Sequence, residues 1–267
     1  MLTKALVIIL LFATGLGFLP MENSIRAERT RLKYQGARVT YELREALGQN
    51  LAIALLAGLR GVVADFLWLQ GHTFWEKREW LRQYRDIEIV VTLQPQSVLF
   101  WDLGQWHMAW NIGYGARSDP NNRTQAEGIK REREWHRKAR DFLQRGIENI
   151  PNRYDLYFMM GMLYYEKFSR DCDEPPCRDA FCKAAEYFAR AASFTNAPQF
   201  VARMYPRALE QCGETEAAYA QWRLLWFQDH NKVQQAWNII EREIRQLEDK
   251  LKIPDNQRVF PKNKPPS

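Results

Sequence analysis

The sequence has little of what builds a β-sheet. No run of alternating apolar and polar residues, rich in Val, Ile and Thr, is bounded by turn-forming residues. Apolar residues instead recur at helical spacing along most of the 267-residue chain. Hydrophobic residues make up 46% of the sequence, which is enough to bury a sizeable core. The sequence therefore predicts an all-α protein.

Signatures of well-known catalytic chemistry are also missing. The chain has no glycine-rich phosphate loop, no nucleophile elbow and no HExxH motif. No two histidines have metal-ligand spacing on one helix face. They are scattered, at His72, His107, His136 and His230. We therefore expect no enzyme activity, no cofactor and no metal; the alternative is an enzyme or metal-binding site near His107.

Charge of one sign is not concentrated anywhere. The formal net charge of +6 is modest for this length, and basic and acidic residues are interspersed. This mixing is typical of solvated helix faces rather than of a nucleic-acid footprint. We expect no nucleic-acid partner.

One long apolar run stands at the N-terminus. Lys4 precedes residues 5–19, which carry no charge, and Pro20 and Glu22 end the run. The run is slightly short for a membrane span and has no clean Ala-x-Ala cleavage site. We predict that residues 1–23 form an uncleaved signal anchor; a cleaved signal peptide and a buried N-terminal helix are the alternatives.

The rest of the chain divides by composition into four segments. Residues 24–62 are predicted to be juxtamembrane and entry helices, with residues 51–59 as a buried core helix rather than a second span, because Arg60 would be costly in a bilayer. Residues 63–232 are predicted to be a helical-repeat domain. Residues 233–253 form a C-terminal capping helix, and residues 254–267 form a disordered tail.

Residues 63–114 are the stretch around which the chain is organised. Helical apolar spacing runs to Val91, Gln94 to Ser97 interrupts it, and a second series begins at Leu99. Residues 113–124 are rich in turn formers and predict a loop. Further helices are predicted over residues 125–149, 154–168, 179–194, 199–211 and 214–228, with Gly213 as a C-cap.

A repeat pattern links these helices. Tyr157-x2-Met160-Gly161-x2-Tyr164 matches the first part of the tetratricopeptide pattern, and Ala139-x3-Leu143 with Pro151 matches the second. Ala184-x3-Phe188 and Ala218-x3-Trp222 match without the closing proline. From about Asp65 to Asn231 the chain resembles the tetratricopeptide-like superfamily.

The resemblance implies a short right-handed superhelical array of helical hairpins. Small residues are needed where the two helices of a unit cross, so Gly161 and Ala184 are expected at close crossings. The stretches DFLWLQG, TLQP and WHMAWNI also resemble a group of bacterial membrane-anchored tetratricopeptide-like proteins of unassigned chemistry. That narrower resemblance implies no functional residues.

An array of this kind predicts a binding groove. Its concave face, lined by the first helix of each unit, would hold a peptide or protein partner. The expected lining residues are Trp101, Gln105, Met108, Tyr157 and Tyr164. The predicted function is a membrane-tethered protein-binding scaffold of the bacterial envelope; a purely structural subunit of an envelope complex is a further alternative.

The four cysteines predict two disulfides. Cys172 and Cys177 bracket a short loop, while Cys182 begins one predicted helix and Cys212 ends the next, so antiparallel packing brings the last two together. Free thiols and a metal site are the alternatives. Paired cysteines indicate an oxidising compartment.

Two signals disagree on which side of the membrane the domain lies. Arg26, Arg29, Arg31 and Lys33 follow the predicted anchor and favour the cytoplasmic side. The cysteines favour the periplasmic side, and we give them more weight because their pairing needs a specific geometry. The expected location is the bacterial inner membrane, single-pass, with the domain in the periplasm.

Overall fold

A computed structural model describes residues 59–228 and 234–262, together with three separate helical positions, Ser24, Glu28 and Arg31. The predicted anchor at residues 1–23 lies outside these residues, as does most of the segment 24–62. Within the described ranges all regular structure is helical and there is no β-strand. The prediction of an all-α fold is confirmed.

The chain divides into two compact units, residues 1–97 and residues 98–267. The division falls inside the range 63–232 that the sequence predicts as one repeat domain. The described part of the first unit is a helical hairpin, α1 (Arg60–Glu76) and α2 (Trp80–Leu93). In the second unit, α3 (Val98–Trp106) leads through a π-helical segment (His107–Ile112) into α4 (Gly113–Arg117).

Six longer helices complete the described part of the second unit. They are α5 (Gln125–Asn149), α6 (Tyr154–Glu166), α7 (Arg178–Ala192), α8 (Gln199–Cys212), α9 (Thr215–Gln228) and α10 (Gln234–Lys250). Single 3-10 turns lie at Phe168–Arg170 and Asp255–Gln257. From α5 to α10, each helix packs against the next along the chain.

The first hairpin is joined by a short turn. Arg78 has a left-handed φ of 58° and ends α1. Val63, Ala64 and Leu67 are buried on α1, which packs on α2. The second helix of the pair ends at Leu93, just before the Pro95 break that the sequence predicts.

The loop predicted at residues 113–124 begins later than expected. The helix that starts at Val98 continues to Arg117, and only residues 118–124 form turns. Asn122 explains the extension, because its amide nitrogen donates to the carbonyls of Ala116 and Arg117, at 2.9 Å each. These bonds satisfy carbonyl groups that the helix end leaves unpaired.

The helices α6 and α7 cross at a glycine. A Cβ atom on Gly161 would lie 2.6 Å from the Phe188 ring, so the ring occupies the space that any side chain would need. Ala184, four residues before Phe188, is fully buried. The close crossing predicted at Gly161 is confirmed.

The last four helices enclose one hydrophobic core of the second unit. Phe188, Trp222, Ile240 and Ile244 are completely or almost completely buried there. Gly213, with φ of 87°, ends α8 in the left-handed conformation that favours glycine, as the sequence predicts.

The chain continues along this core beyond α10. Val259 and Phe260 pack against it, and the Val259 N–H donates to the buried Glu248 carboxylate over 2.5 Å. Residues 254–262 of the predicted tail are therefore placed by contacts with the last helices.

Within residues 59–228 and 234–262, no helix combines the length and the apolar character needed to cross a bilayer. The run at residues 5–19, on which the anchor prediction depends, lies outside those ranges.

Candidate functional site

Two disulfides cross-link residues in the middle of the second unit. Cys172 pairs with Cys177 and Cys182 pairs with Cys212, with Cα–Cα separations of 5.9 and 4.9 Å. Both predicted pairings are confirmed. The second bond joins the first half of α7 to the end of α8, where the Arg178 guanidinium also donates to the Cys212 carbonyl.

A buried His–Asp hydrogen bond lies beside the shorter disulfide. His136 Nδ1 is 2.8 Å from Asp171 Oδ2, and the exposed fractions of the two side chains are only 4% and 12%. Arg133, one turn earlier on α5, donates to the Cys172 carbonyl over 2.8 Å. Two side chains of α5, Arg133 and His136, therefore hydrogen-bond to residues at the start of the disulfide loop.

The His136 ring has a defined orientation. The Asp171 carboxylate accepts from Nδ1–H and so orients the ring, an arrangement that also orients catalytic and metal-binding histidines. Nε2 is buried without a hydrogen-bond partner in the described part of the chain. It faces the backbone of Gly113, where an added Cβ would lie 3.6 Å away. The ring therefore points into packed helices, which supports a structural role.

Sequence reasoning missed this pair. His136 and Asp171 are 35 positions apart, and Asp171 directly precedes the short loop that Cys172 and Cys177 bracket. The local sequence holds no signal that pairs them, because only the packing of α5 against the disulfide loop brings them together.

His107, the alternative site, lies on the π-helical segment. Its Nδ1 is 2.9 Å from the Asn111 amide nitrogen, so the imidazole is bonded along its own helix. Nearby, the Lys167 ammonium lies 4.6 Å from the centre of the Trp110 ring, and burial lowers the pKa of that ammonium. The described residues contain no group of three His, Cys, Asp or Glu side chains able to hold a metal ion.

The residues predicted to line a groove fall into two groups. Trp101, Gln105 and Met108 are buried, with exposed fractions of 2%, 0% and 0%. Trp101 packs on Phe142 of α5, with ring centres 4.7 Å apart. These three therefore face the interior of the second unit.

The two tyrosines of the predicted groove are half-buried on α6. Tyr157 donates from its hydroxyl to the Pro151 carbonyl over 3.2 Å. Tyr164 stacks on Tyr187 of α7, with ring centres 5.7 Å apart. A partner-binding groove stays a prediction, and among its expected residues only these two reach the surface.

The opposite face of the α3–α4 run carries a different set of large side chains. Leu99, Trp106 and Tyr114 have exposed fractions of 56%, 42% and 66%. Leu103 and Trp110, half-buried, lie between them along the same face. We call these five residues the aromatic ridge. It extends about 22 Å at the helical rise per residue.

A scan against protein-family models finds no match, and a search of curated proteins finds none either. The resemblance to tetratricopeptide-like proteins stays a prediction from the sequence.

Proposed function

We propose that this chain is a protein-binding scaffold, tethered to the bacterial inner membrane through residues 1–23, with its helical domain in the periplasm. The observation that carries the proposal is the aromatic ridge. Its two tryptophans and one tyrosine lie on one face of a helix whose opposite face is buried. Protein interfaces are enriched in these residue types, and a few of them supply most of the binding energy.

The ridge is positioned by packed structure rather than by a loop. Below it, α3 and the π-helical segment pack on α5. Trp110 is covered on one side by the Lys167 ammonium. A ridge held in this way loses little conformational freedom on binding, which favours affinity. The partner that fits it is a protein with an apolar groove, in an envelope complex.

The proposed compartment rests on the disulfides. Two pairs among four cysteines are typical of proteins outside the reducing cytoplasm. The basic residues after the anchor favour the cytoplasmic side, which is the alternative location.

Site-specific photocrosslinking in cells tests the scaffold. A photoreactive residue at Trp106 should capture one protein at high yield, while the same residue at Glu134, exposed on α5, should not. The Trp106→Glu variant should then lose co-purification of that protein with its fold intact, because burying an unpaired charge opposes binding. Equal capture at both positions, or retained co-purification, contradicts the proposal.

A second candidate is an enzyme or metal-binding protein with its site near His107. The π-helical segment carrying that residue favours it, because such segments often occur at functional sites. A bound metal or a turnover that His107→Ala abolishes would support it. A purely structural subunit, the third candidate, would show fixed stoichiometry in the purified complex.

A further inference from the structure

The two disulfides differ in how well the surrounding structure shields them. Cys212 is buried, with an exposed fraction of 4%, and its bond to Cys182 joins two packed helices. Cys172 and Cys177 are only partly buried, and all four residues between them are exposed. A thiol that exchanges with a disulfide must reach one of its sulfurs, so the rate depends on access. The Cys172–Cys177 bond is therefore the one that a thiol in solution reaches more easily.

Hydrogen bonds hold both ends of this loop independently of the sulfurs. The Cys177 N–H donates to the Ser169 carbonyl over 2.8 Å. At the other end, the Arg133 guanidinium donates to the Cys172 carbonyl over 2.8 Å. The disulfide closes a sequence separation of only five residues, so it adds less chain-entropy stabilisation than the bond that spans 30. The loop can therefore keep its place when the sulfur–sulfur bond opens.

The two sulfurs of the loop are not equivalent. Cys177 is the N-cap of α7, where the N–H groups of the first helical turn have no partner within the helix. The Cys172 N–H also donates to Cys177 Sγ over 3.0 Å. A thiolate formed at Cys177 lies beside these donors and at the positive end of the helix dipole, which stabilises its charge. Because a more stable thiolate leaves more readily, Cys177 is the leaving sulfur and Cys172 the one attacked.

Charged side chains of both signs surround this disulfide. Asp171, Asp173 and Arg133 lie near Cys172, while Arg178 and Asp179 follow Cys177. Neither sulfur is therefore surrounded by charge of one sign. The bonded N–H and the helix end are the features that distinguish the two sulfurs.

We infer that Cys172–Cys177 is a site of thiol–disulfide exchange with a dithiol, whereas Cys182–Cys212 is structural. The thiolate of the dithiol bonds to Cys172 Sγ, and the electron pair of the broken bond leaves with Cys177 as a thiolate. The second thiol gives its proton to solvent and bonds to the first sulfur of its own molecule. Cys172 then leaves as a thiolate and takes a proton from solvent.

The exchange transfers an electron pair. The chain is reduced to a dithiol, the partner is oxidised to a disulfide, and the reverse reaction restores both. This inference goes beyond the protein partner at the aromatic ridge, and it depends neither on that partner nor on the membrane tether.

The first test compares the two disulfides in the full, oxidised chain. Dithiothreitol is added, samples are quenched with acid and alkylated, and mass spectrometry reports the state of each cysteine. We expect Cys172–Cys177 to be reduced at least about tenfold faster than Cys182–Cys212, because its sulfurs are easier to reach. Equal rates, or earlier loss of the longer bond, overturn the inference.

Circular dichroism of the selectively reduced chain shows whether the first bond is structural. Its helical signal should stay unchanged, and a loss of that signal together with the first bond contradicts an exchange site. The matched control is the double variant Cys172→Ser, Cys177→Ser, which should consume no dithiothreitol over the same interval. Consumption equal to that of the native chain would assign the reaction to the other disulfide.

A thiol with a single sulfur tests the direction of attack. Glutathione stops at the mixed disulfide, which acid quenching preserves. We expect glutathione on Cys172 and an alkylated Cys177 in the same molecule, whereas glutathione mainly on Cys177 overturns the assigned direction.

A protein dithiol distinguishes the two sources of the reductant. Reduced thioredoxin replaces dithiothreitol at equal thiol concentration. Faster reduction of Cys172–Cys177 by thioredoxin assigns the partner to a protein dithiol, and slower reduction assigns it to a small one. Reduction by neither reagent before the chain unfolds overturns the inference.

Discussion

The hairpins α1–α2 and α7–α8 are built from similar lengths of helix but stabilised differently. The second is closed by the Cys182–Cys212 disulfide, and α7 also packs on Gly161 of α6 through Phe188. The first has no disulfide in its described residues. It exposes Val62, Phe66 and Leu69 of α1, and it buries the polar side chains of Gln83 and Asp86.

The two hairpins are stabilised by different interactions. In α7–α8, covalent closure and tight packing stabilise the hairpin internally. In α1–α2, exposed apolar side chains weaken the isolated hairpin. So do two buried polar atoms, Gln83 Oε1 and Asp86 Oδ2, which have no hydrogen-bond partner among the described residues. The first hairpin is therefore the one whose stability depends more on its surroundings.

Removing the longer disulfide should have the largest effect. The Cys182→Ser, Cys212→Ser double variant loses a cross-link across 30 residues, which the chain-entropy model values at about 3–4 kcal/mol. Thermal unfolding should show a Tm lower by roughly 2–4 °C per kcal/mol. Hydrogen exchange should rise most in α7 and α8.

The shorter disulfide provides the control. Cys172→Ser with Cys177→Ser opens a loop with a separation of only five residues, so a smaller loss is expected. Equal losses for both double variants would contradict the loop-length argument. Four thiols reacting with a maleimide in unfolded, unreduced native protein would refute the pairing and favour the cytoplasmic location.

Substituting one glycine in each unit should change the free energy of unfolding by an intermediate amount. Gly161→Leu forces a side chain into the Phe188 ring and should cost about 1–3 kcal/mol or more. Gly61→Ala is the matched change in α1, where the nearest atom to an added Cβ is 3.6 Å away. It should raise stability by up to about 1 kcal/mol through helix propensity. An unchanged Tm for Gly161→Leu would show that the crossing is looser than described.

Replacing Asp86 should change the free energy of unfolding least, and the change should depend on pH. Burial raises the pKa of this carboxyl above 3.8, although the Arg85 guanidinium opposes the rise. The folded state therefore holds the proton more tightly than the unfolded state, and stability falls as pH rises from about 3.8 through the raised pKa.

The Asp86→Asn variant removes that dependence. At neutral pH it should be more stable than the native chain by roughly 1 kcal/mol or less, and the advantage should shrink on acidification. The measurement is denaturant unfolding of both proteins across the acidic range, with Glu79→Gln, a partly exposed carboxylate on the same hairpin, as the control. An advantage that is independent of pH would contradict the assignment to Asp86.

Local sequence signals predicted most helix ends. The Pro95 break and the left-handed Gly213 are short-range effects. The sequence analysis did not predict that the helix continues to Arg117. The hydrogen bonds that stabilise this helix end come from Asn122, which is five or six residues beyond the carbonyls that it contacts.

The face that a helix buries was harder to predict. Trp101, Gln105 and Met108 were expected in an open groove because the repeat pattern places the first helix of each unit on the concave side. The α3–α4 run is apolar on both faces, so its periodicity does not tell which face is covered. Contacts with α5 bury Trp101, Gln105 and Met108. The opposite face, with Leu99, Trp106 and Tyr114, stays exposed.

Apolar periodicity, capping residues and short turns act over a few residues, so the helical class, the approximate helix boundaries and both cysteine pairings could be predicted from the sequence. Three further features follow from the packing of distant helices: the contact of His136 with Asp171, the contact of Gly161 with the Phe188 ring, and the exposure of Phe66 and Leu69 on α1. Those outcomes depend on which distant helices pack together, and a one-dimensional pattern does not contain that information.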